Sequence, residues 1–277
     1  MARANSFLAV FAVASLLASF PWDLARATSN NYSPRIQALL KEAQSGKSQP
    51  IEIHVVPSSL DPFHQGHTDG MGTDHVVINV AAGPSRDYDD TLLAHELFHV
   101  ILYNRGFTAG TIPERSYQIR GIDSQQSATA VNRMASTVSS CFPDELIDRE
   151  MVKRGFKPKM LVDTEIKKTS EQLVNFAPGE IESSPETIKN GQALLSFCLA
   201  KRASAQSMHA FEKKFRPIIG PSILEKENNL LMRFRGKRCE INDPAGCHKL
   251  IVQLRDAAGM KGIVYVGDMR KQQLQLE

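Results

Sequence analysis

The chain has little net charge, few cysteines and no apolar run long enough to cross a bilayer. Its 33 Lys and Arg residues nearly balance 30 Asp and Glu residues, and a formal net charge of +3 is too small to indicate binding to nucleic acid or to an anionic membrane. The longest apolar stretch covers residues 7–20, about 14 residues, whereas a spanning helix needs about 20. The chain has no internal repeat and no low-complexity tract. These absences, with a hydrophobic content of 42%, indicate an ordinary globular protein of 277 residues.

The N-terminus has the three parts of a secretory signal peptide. A basic Met1-Ala2-Arg3 start precedes the apolar stretch, and the small-x-small sequence Ala25-Arg26-Ala27 follows it. This order predicts a signal peptide, residues 1–27, that is cleaved after Ala27. The alternative, an uncleaved membrane anchor, is disfavoured because the apolar stretch is short. We therefore expect a secreted or periplasmic protein with no membrane attachment after cleavage.

Four cysteines are present, and they contain no C-x-x-C pair that would favour a cysteine-based zinc site. An even number in an exported chain predicts two disulfides, with three possible connectivities. Cys239 and Cys247 bracket a short, turn-rich loop, so we favour that pair, which leaves Cys141 to pair with Cys198. The alternative is four free thiols buried in apolar surroundings.

The hydrophobic periodicity predicts an α+β fold that is predominantly helical. Two short strands near the N-terminus are separated by a loop rich in Gly, Pro, Asp and His, residues 57–74, and helices dominate the rest. Pro143 allows either a kink or a new helix, and residues 161–182 have no clear pattern. The predicted helices cover about 33–47, 87–106, 124–141, 144–156, 184–203, 205–215 and 244–258, and the predicted strands cover 51–56, 75–80 and 263–266. Residues 87–91 are the N-cap candidates of the second helix, residues 108–121 form a connection, and Gly155 is the expected stop of the helix that begins at 144.

Residues 95–99 read His-Glu-Leu-Phe-His within the apolar run 92–102. On a helix, His95 and His99 lie one turn apart on the same face, so both imidazoles can bind one Zn²⁺. Glu96 then lies beside the metal, where its carboxylate can accept a proton from water. The alternative is a chance histidine pair on a core helix. The apolar flanks favour the metal, since burying these three side chains without partners is costly.

This run resembles the zincin metallopeptidases, and the resemblance covers about residues 75–156. It departs from the long metzincin motif, because Leu102 stands at the glycine position and no histidine follows until His209. The chain is more similar to the gluzincin-like branch, in which a later helix supplies a carboxylate ligand. The resemblance implies a small N-terminal sheet packed on a zinc-binding helix, with the preceding strand at the sheet edge that aligns a peptide. It also implies a catalytic core over 28–160 and a helical C-terminal extension or small subdomain over 161–277.

The third ligand is open between several carboxylates. Asp144 and Asp148 stand four residues apart on one predicted helix, so Asp144 can bind the metal while Asp148 orients a ligating histidine. Glu145 is the rival ligand, but the residue four positions on is Arg149, which cannot accept a histidine N–H. A further alternative treats this acidic run as a solvated helix face, with the ligand elsewhere.

Other polar residues carry weaker expectations. The H-x-x-H pair His64 and His67 can hold a second metal or line a cleft, although an exposed polar loop explains it equally well. Candidates for stabilising an oxyanion are Tyr103, Tyr117, His209 and His248, and no pattern singles one out.

These patterns predict an exported zinc metallopeptidase that acts on a peptide or protein substrate, with Glu96 as general base and His95, His99 and Asp144 as ligands. One alternative is an exported binding protein whose zinc site is structural or inactive. Another is hydrolysis of a non-peptide amide such as a cell-wall linkage, because specificity lies in loops. The oligomeric state has no signature in the sequence.

Overall fold

A computed structural model describes residues 25–26, 32–56, 66–173 and 182–270 of the chain. Most of the predicted signal peptide lies outside these ranges, as does His64, so both stay predictions. Within the described ranges, no helix combines the length and the apolar character needed to cross a bilayer.

The described elements form an α+β fold dominated by helices, which confirms the predicted class. Two disulfides are also formed with the favoured connectivity, Cys141–Cys198 and Cys239–Cys247. In chain order the elements are β1 Ala25–Arg26, α1 Pro34–Ala43, β2 Glu52–Val56, β3 Gly66–Asp69, β4 Val77–Ala81, α2 Arg86–Asn104, β5 Ala109–Pro113, α3 Ser124–Lys153, α4 Lys159–Leu173, α5 Glu186–Arg202, α6 Ala205–Arg233, α7 Pro244–Ala257 and β6 Val264–Asp268.

The chain divides into two compact units, and the division passes through α3 after Glu145. The sheet unit lies within 17–107 and 146–161, and it contains β1 to β4, α1, α2 and the end of α3. The helical unit lies within 108–145 and 162–277, and it contains the start of α3, the helices α4 to α7 and the hairpin of β5 with β6. The predicted boundaries at residues 27 and 160 stay predictions.

The sheet of the sheet unit has the strand order β1-β2-β4-β3, so β4 is internal and β3 forms an edge. Strand β2 runs parallel to β4, and β3 runs antiparallel to β4 with Thr68 opposite Ile78. This corrects two expectations, since residues 57–74 were predicted as a loop and the strand before the metal helix was expected at the edge. The residues of β3, Gly-His-Thr-Asp, have weak strand propensity, and pairing with β4 supplies the ladder that they need.

Helix α2 is buried along most of its length. Ser85 caps its start by accepting a hydrogen bond from the Tyr88 backbone N–H, so the cap precedes the predicted candidates 87–91. Helix α2 packs against α1, β3 and β4. The helix ends at Asn104, and Gly106 follows with a left-handed φ of 96°, as expected for a helix stop. The buried apolar side chains of α2 include Leu92, Leu93, Ala94, Leu97, Phe98, Val100, Ile101 and Leu102.

Helix α3 continues through Pro143 as one helix to Lys153, so neither a break nor a separate second helix forms. Buried apolar side chains flank the proline on both sides, notably Phe142 and Leu146. Their packing offsets the hydrogen bond that proline cannot donate. The predicted stop at Gly155 is confirmed by its φ of 80°. Asp144 and Asp148 therefore lie on the same continuous helix as Cys141.

Three further elements differ from the sequence expectations. Helix α4 fills part of the stretch without a clear pattern. Helix α6 extends well beyond the predicted end at residue 215, with a kink at Gly220, where φ is 70° between two prolines. Strand β5 lies in a segment predicted as a connection, and it forms because the predicted final strand, β6, pairs with it.

Candidate metal centre

His95 and His99 lie one turn apart on α2 with their side chains together. Their Nε2 atoms are 3.2 Å apart, and the two rings meet edge to face with centroids 4.9 Å apart. His95 is buried and His99 is half-buried. Two imidazole nitrogens that converge in this way offer a metal ion two ligands from one helix turn.

Asp144 on α3 completes a set of three metal-ligating side chains. One ligand atom from each of His95, His99 and Asp144 lies within 4.8 Å of the other two. An ion with bonds of about 2.0–2.2 Å reaches ligands up to about 4.4 Å apart, so small side-chain rotations close the set. The group can therefore hold a metal ion. Among the residues that the structure describes, it is the one such group of three.

Asp148 lies one turn after Asp144 on α3, beside the other nitrogen of His95. Its Oδ1 is 4.0 Å from His95 Nδ1, and both side chains are largely buried, at 13% and 10% exposed. A carboxylate on the non-ligating nitrogen is the usual device for orienting a ligating imidazole. At 4.0 Å the distance between these two atoms is too long for a hydrogen bond.

Glu145, the rival ligand, is directed to another partner. Its Oε2 lies 2.9 Å from Lys201 Nζ on α5, and both side chains are mostly buried. Within the described residues, Glu145 does not belong to the metal-ligating group. The structure thus brings Asp144, rather than Glu145, to the two histidines.

Arg202, the last residue of α5, holds Asp144. Its Nη1 donates a hydrogen bond of 2.8 Å to Asp144 Oδ2, and both side chains are 11% exposed. A charge-assisted bond of this kind restrains the orientation of the carboxylate. Sequence reasoning did not find Arg202, because 58 residues separate it from Asp144 and no local pattern marks it.

Glu96 is buried, at 5% exposed, and its carboxylate lies against β3. Thr68 Oγ1 donates a hydrogen bond of 2.9 Å to Glu96 Oε2. A Cβ atom built on Gly66 would lie only 2.8 Å from Glu96 Oε1. Thr68 was not expected at the site, because β3 has the composition of a loop.

The other polar candidates lie in different settings. His67 is exposed on β3, where its Nε2 contacts Asp69 Oδ2 at 3.2 Å and Asn79 Nδ2 at 3.1 Å. Tyr117 shares a hydrogen bond with Thr187 in the helical unit. The Tyr103 hydroxyl lies against Gly72, where a Cβ would meet it. None of the three belongs to the metal-ligating group, nor do His209 and His248, on α6 and α7.

No protein-family model matches the chain, and neither the curated proteins nor the solved structures contain a match. The chemistry of the site is therefore argued from its own residues. Two imidazoles and a carboxylate are a donor set that can hold a divalent transition-metal ion. A second carboxylate, Glu96, stands beside them on the same helix turn.

Proposed function

We propose that the protein is a zinc-dependent metallopeptidase. The observation that carries the proposal is the grouping of His95, His99 and Asp144, together with Glu96, a buried residue that directly follows His95 on α2. When bound, Zn²⁺ supplies a Lewis acid that polarises a carbonyl and lowers the pKa of water. Nitrogen and carboxylate donors suit zinc better than the hard cations, which prefer oxygen ligands.

The chain's own residues divide the work of hydrolysis. Glu96 accepts a proton from the attacking water and passes it to the amine nitrogen as the C–N bond breaks. The hydroxyl of that water adds to the carbonyl carbon, so the products are an acid and an amine. Asp148 orients His95, and Arg202 orients Asp144. The apolar side chains of α2 keep bulk water from these groups.

A peptide substrate fits the open side of β3. This strand lies at the sheet edge, where an extended peptide can add as a further strand through backbone hydrogen bonds. Two disulfides are compatible with an extracellular protein, so we propose export to an oxidising compartment. The predicted signal peptide points the same way.

The decisive experiment replaces Glu96 by Gln. The variant should keep its metal, because Glu96 is not a ligand, and lose at least about 1000-fold in peptide hydrolysis. Metal content is measured by atomic emission, and hydrolysis is followed with a library of quenched fluorescent peptides. Glu240→Gln, an exposed carboxylate paired with Arg238, serves as the matched control and should retain full activity. Wild-type hydrolysis by a pure preparation of Glu96→Gln would refute the proposal.

A second candidate is a binding protein whose metal site is inactive. The contact that favours it is the pair of Arg202 with Asp144, because a carboxylate already balanced by a guanidinium is a weaker metal ligand. Zinc titration separates the two functions. Weak or absent zinc binding together with no hydrolysis favours the second candidate, and tight binding with hydrolysis favours the metallopeptidase.

A further inference from the structure

The edge strand β3 contacts Glu96 through two residues on one of its faces. Side chains alternate along a strand, so Gly66 and Thr68 share one face, while His67 and Asp69 lie on the other. Gly66 and Thr68 are half-buried, whereas His67 and Asp69 are exposed. The face that meets α2 therefore carries one hydroxyl and one position without a side chain.

The hydroxyl of Thr68 is placed to restrain the carboxylate. Glu96 has three rotatable side-chain bonds, and the hydrogen bond of 2.9 Å from Thr68 Oγ1 to Oε2 selects one arrangement of them. Hydrogen bonds to an ionised acceptor are the stronger class, and water competes poorly where Glu96 is 5% exposed. The carboxylate is thus held by β3 as well as by its own helix.

Gly66 supplies space for the other carboxylate oxygen. A Cβ atom at this position would lie 2.8 Å from Glu96 Oε1 and 3.1 Å from Glu96 Cδ, too close without a shift. The backbone of Gly66 has no left-handed φ, so an alanine is compatible with the strand itself. An alanine at position 66 would therefore act by filling the space that Glu96 Oε1 occupies, not by straining the backbone.

We infer that Thr68 is a positioning residue for Glu96, and that Gly66 leaves the room in which Thr68 holds it. This inference rests on the proposed function, in which Glu96 moves the proton. A base held in its working rotamer reacts without first losing side-chain freedom. Loss of the hydroxyl should therefore slow the chemical step and leave substrate binding nearly unchanged.

The first test compares two substitutions at one position, one that removes the hydroxyl and one that keeps it. Thr68→Val removes the hydroxyl and should lower kcat by about 10- to 100-fold, with KM within about two-fold and metal content unchanged. Thr68→Ser keeps the hydroxyl and should stay within about three-fold of the wild-type kcat. Gly66→Ala should also lower kcat, because its methyl group displaces Oε1. Thr129→Val, which removes a hydroxyl that donates to the Gln125 carbonyl on α3, is the matched control and should leave kcat unchanged.

The second test needs no hydrolysis. Urea unfolding midpoints of the metal-free protein are measured for the wild type, Thr68→Val, Glu96→Ala and the double variant. Thr68→Val should lower the midpoint when Glu96 is present and change it much less when residue 96 is alanine. An equal effect in both backgrounds would show that the Thr68 hydroxyl does not interact with Glu96. Such a cycle separates the hydroxyl's bond to Glu96 from its other contributions to folding.

The outcomes distinguish this inference from the proposed function. If Glu96→Gln abolishes hydrolysis while Thr68→Val keeps the wild-type kcat, the positioning role is wrong and the metallopeptidase stands. If Glu96→Gln keeps hydrolysis, the proposed function falls, and the role of Thr68 in catalysis falls with it. A fall in kcat that Thr68→Ser rescues, with non-additive urea midpoints, supports both.

Discussion

The two units of the molecule differ in the contacts that stabilise each of them internally. The helical unit contains all four cysteines and both disulfides, Cys141–Cys198 and Cys239–Cys247. The sheet unit has no cysteine, and its helices are joined by charged side chains. Glu42 on α1 accepts hydrogen bonds from Arg105, which follows α2, and from Arg154, which follows α3. The helical unit therefore has disulfides in addition to ion pairs such as Lys201 with Glu145, whereas the sheet unit relies on noncovalent contacts alone.

This difference matters because the sheet unit carries His95, Glu96 and His99. Its core is the apolar surface of α2, reinforced by a cation over an aromatic ring, since Arg154 lies 5.0 Å from the Phe98 ring centroid. Polar groups at the metal centre lower the stability of such a core unless they are paired. The sheet unit thus has buried polar side chains that need partners and no disulfide, whereas the helical unit, which also buries polar side chains such as Glu227, has two disulfides.

The largest effect is expected from removing the longer disulfide. Cys141 and Cys198 are 57 residues apart, and the chain-entropy argument gives a loss of about 4 kcal/mol in unfolding free energy for the Cys141→Ala/Cys198→Ala variant. The second disulfide joins residues only 8 apart, so the matched variant Cys239→Ala/Cys247→Ala should lose about 2.5 kcal/mol in unfolding free energy. Urea unfolding measures both. Equal losses, or none, would show that covalent bracing is not what distinguishes the helical unit.

Metal removal should have the next largest effect. Zinc at about one hundred times its dissociation constant stabilises the folded state by about 2.7 kcal/mol, and a chelator removes this contribution. The His99→Ala variant lacks a ligand and should unfold at the same temperature with and without chelator. Differential scanning calorimetry provides the measurement. If the melting temperature of the wild type changes neither with added zinc nor with chelator, the molecule has no metal centre.

A smaller effect is expected at Glu42. The hydrogen bond from Arg154 lowers the pKa of Glu42, although partial burial opposes it. A lowered folded-state pKa means that the stabilisation is present above the unfolded value, about 4.3, and is lost as the pH falls through the folded value. Because these side chains are about a third exposed, Glu42→Gln should cost only about 0.5–1 kcal/mol at pH 7. Arg154 stays over Phe98 in this variant.

Unfolding in urea at several pH values checks that expectation. The difference between wild type and Glu42→Gln should shrink as the pH falls below about 4.3 and close below the lowered folded-state pKa of Glu42, where the carboxyl group is protonated in both states. If the wild type and Glu42→Gln still differ in unfolding free energy at low pH, the charge of Glu42 is not what stabilises the contact between these helices.

The smallest effect, of opposite sign, is expected in the helical unit. Burial on α6 raises the pKa of Glu227, while a hydrogen bond from Ser196 opposes the rise. A carboxyl group with a raised folded-state pKa contributes full stability below its unfolded value and loses it as the pH rises through the folded value. Glu227→Gln should therefore raise the urea midpoint slightly at pH 7 and leave it unchanged below about pH 4. A lower midpoint at pH 7 would show that the ionised group is stabilising.

Local patterns in the sequence predicted the elements that local forces form. The apolar run 92–102 and the glycine after it gave helix α2 and its end, and the short loop between Cys239 and Cys247 gave one disulfide and so the other. The four-residue spacing of Asp144 and Asp148 gave the face of α3 that carries the carboxylates. In each case the residues that allow the prediction lie close together in the sequence.

The remaining contacts depend on residues far apart in the chain. Strand β3 forms because β4 offers it a ladder, not because its own residues prefer extended backbone. Arg202 reaches Asp144 only once α5 has packed, and Thr68 reaches Glu96 across 28 residues. The side chains that contact Glu96 and Asp144 from distant parts of the chain were thus the hardest to predict, whereas His95, Glu96 and His99 were proposed as site residues from one pentapeptide.

The short strand β3 has a consequence for how copies of this chain meet one another. An exposed edge with unpaired backbone groups is a template for uncontrolled polymerisation. Here the edge is only four residues long, and its outer face carries the polar pair His67 and Asp69. A short edge with polar side chains discourages edge-to-edge pairing of one protomer's sheet with the next.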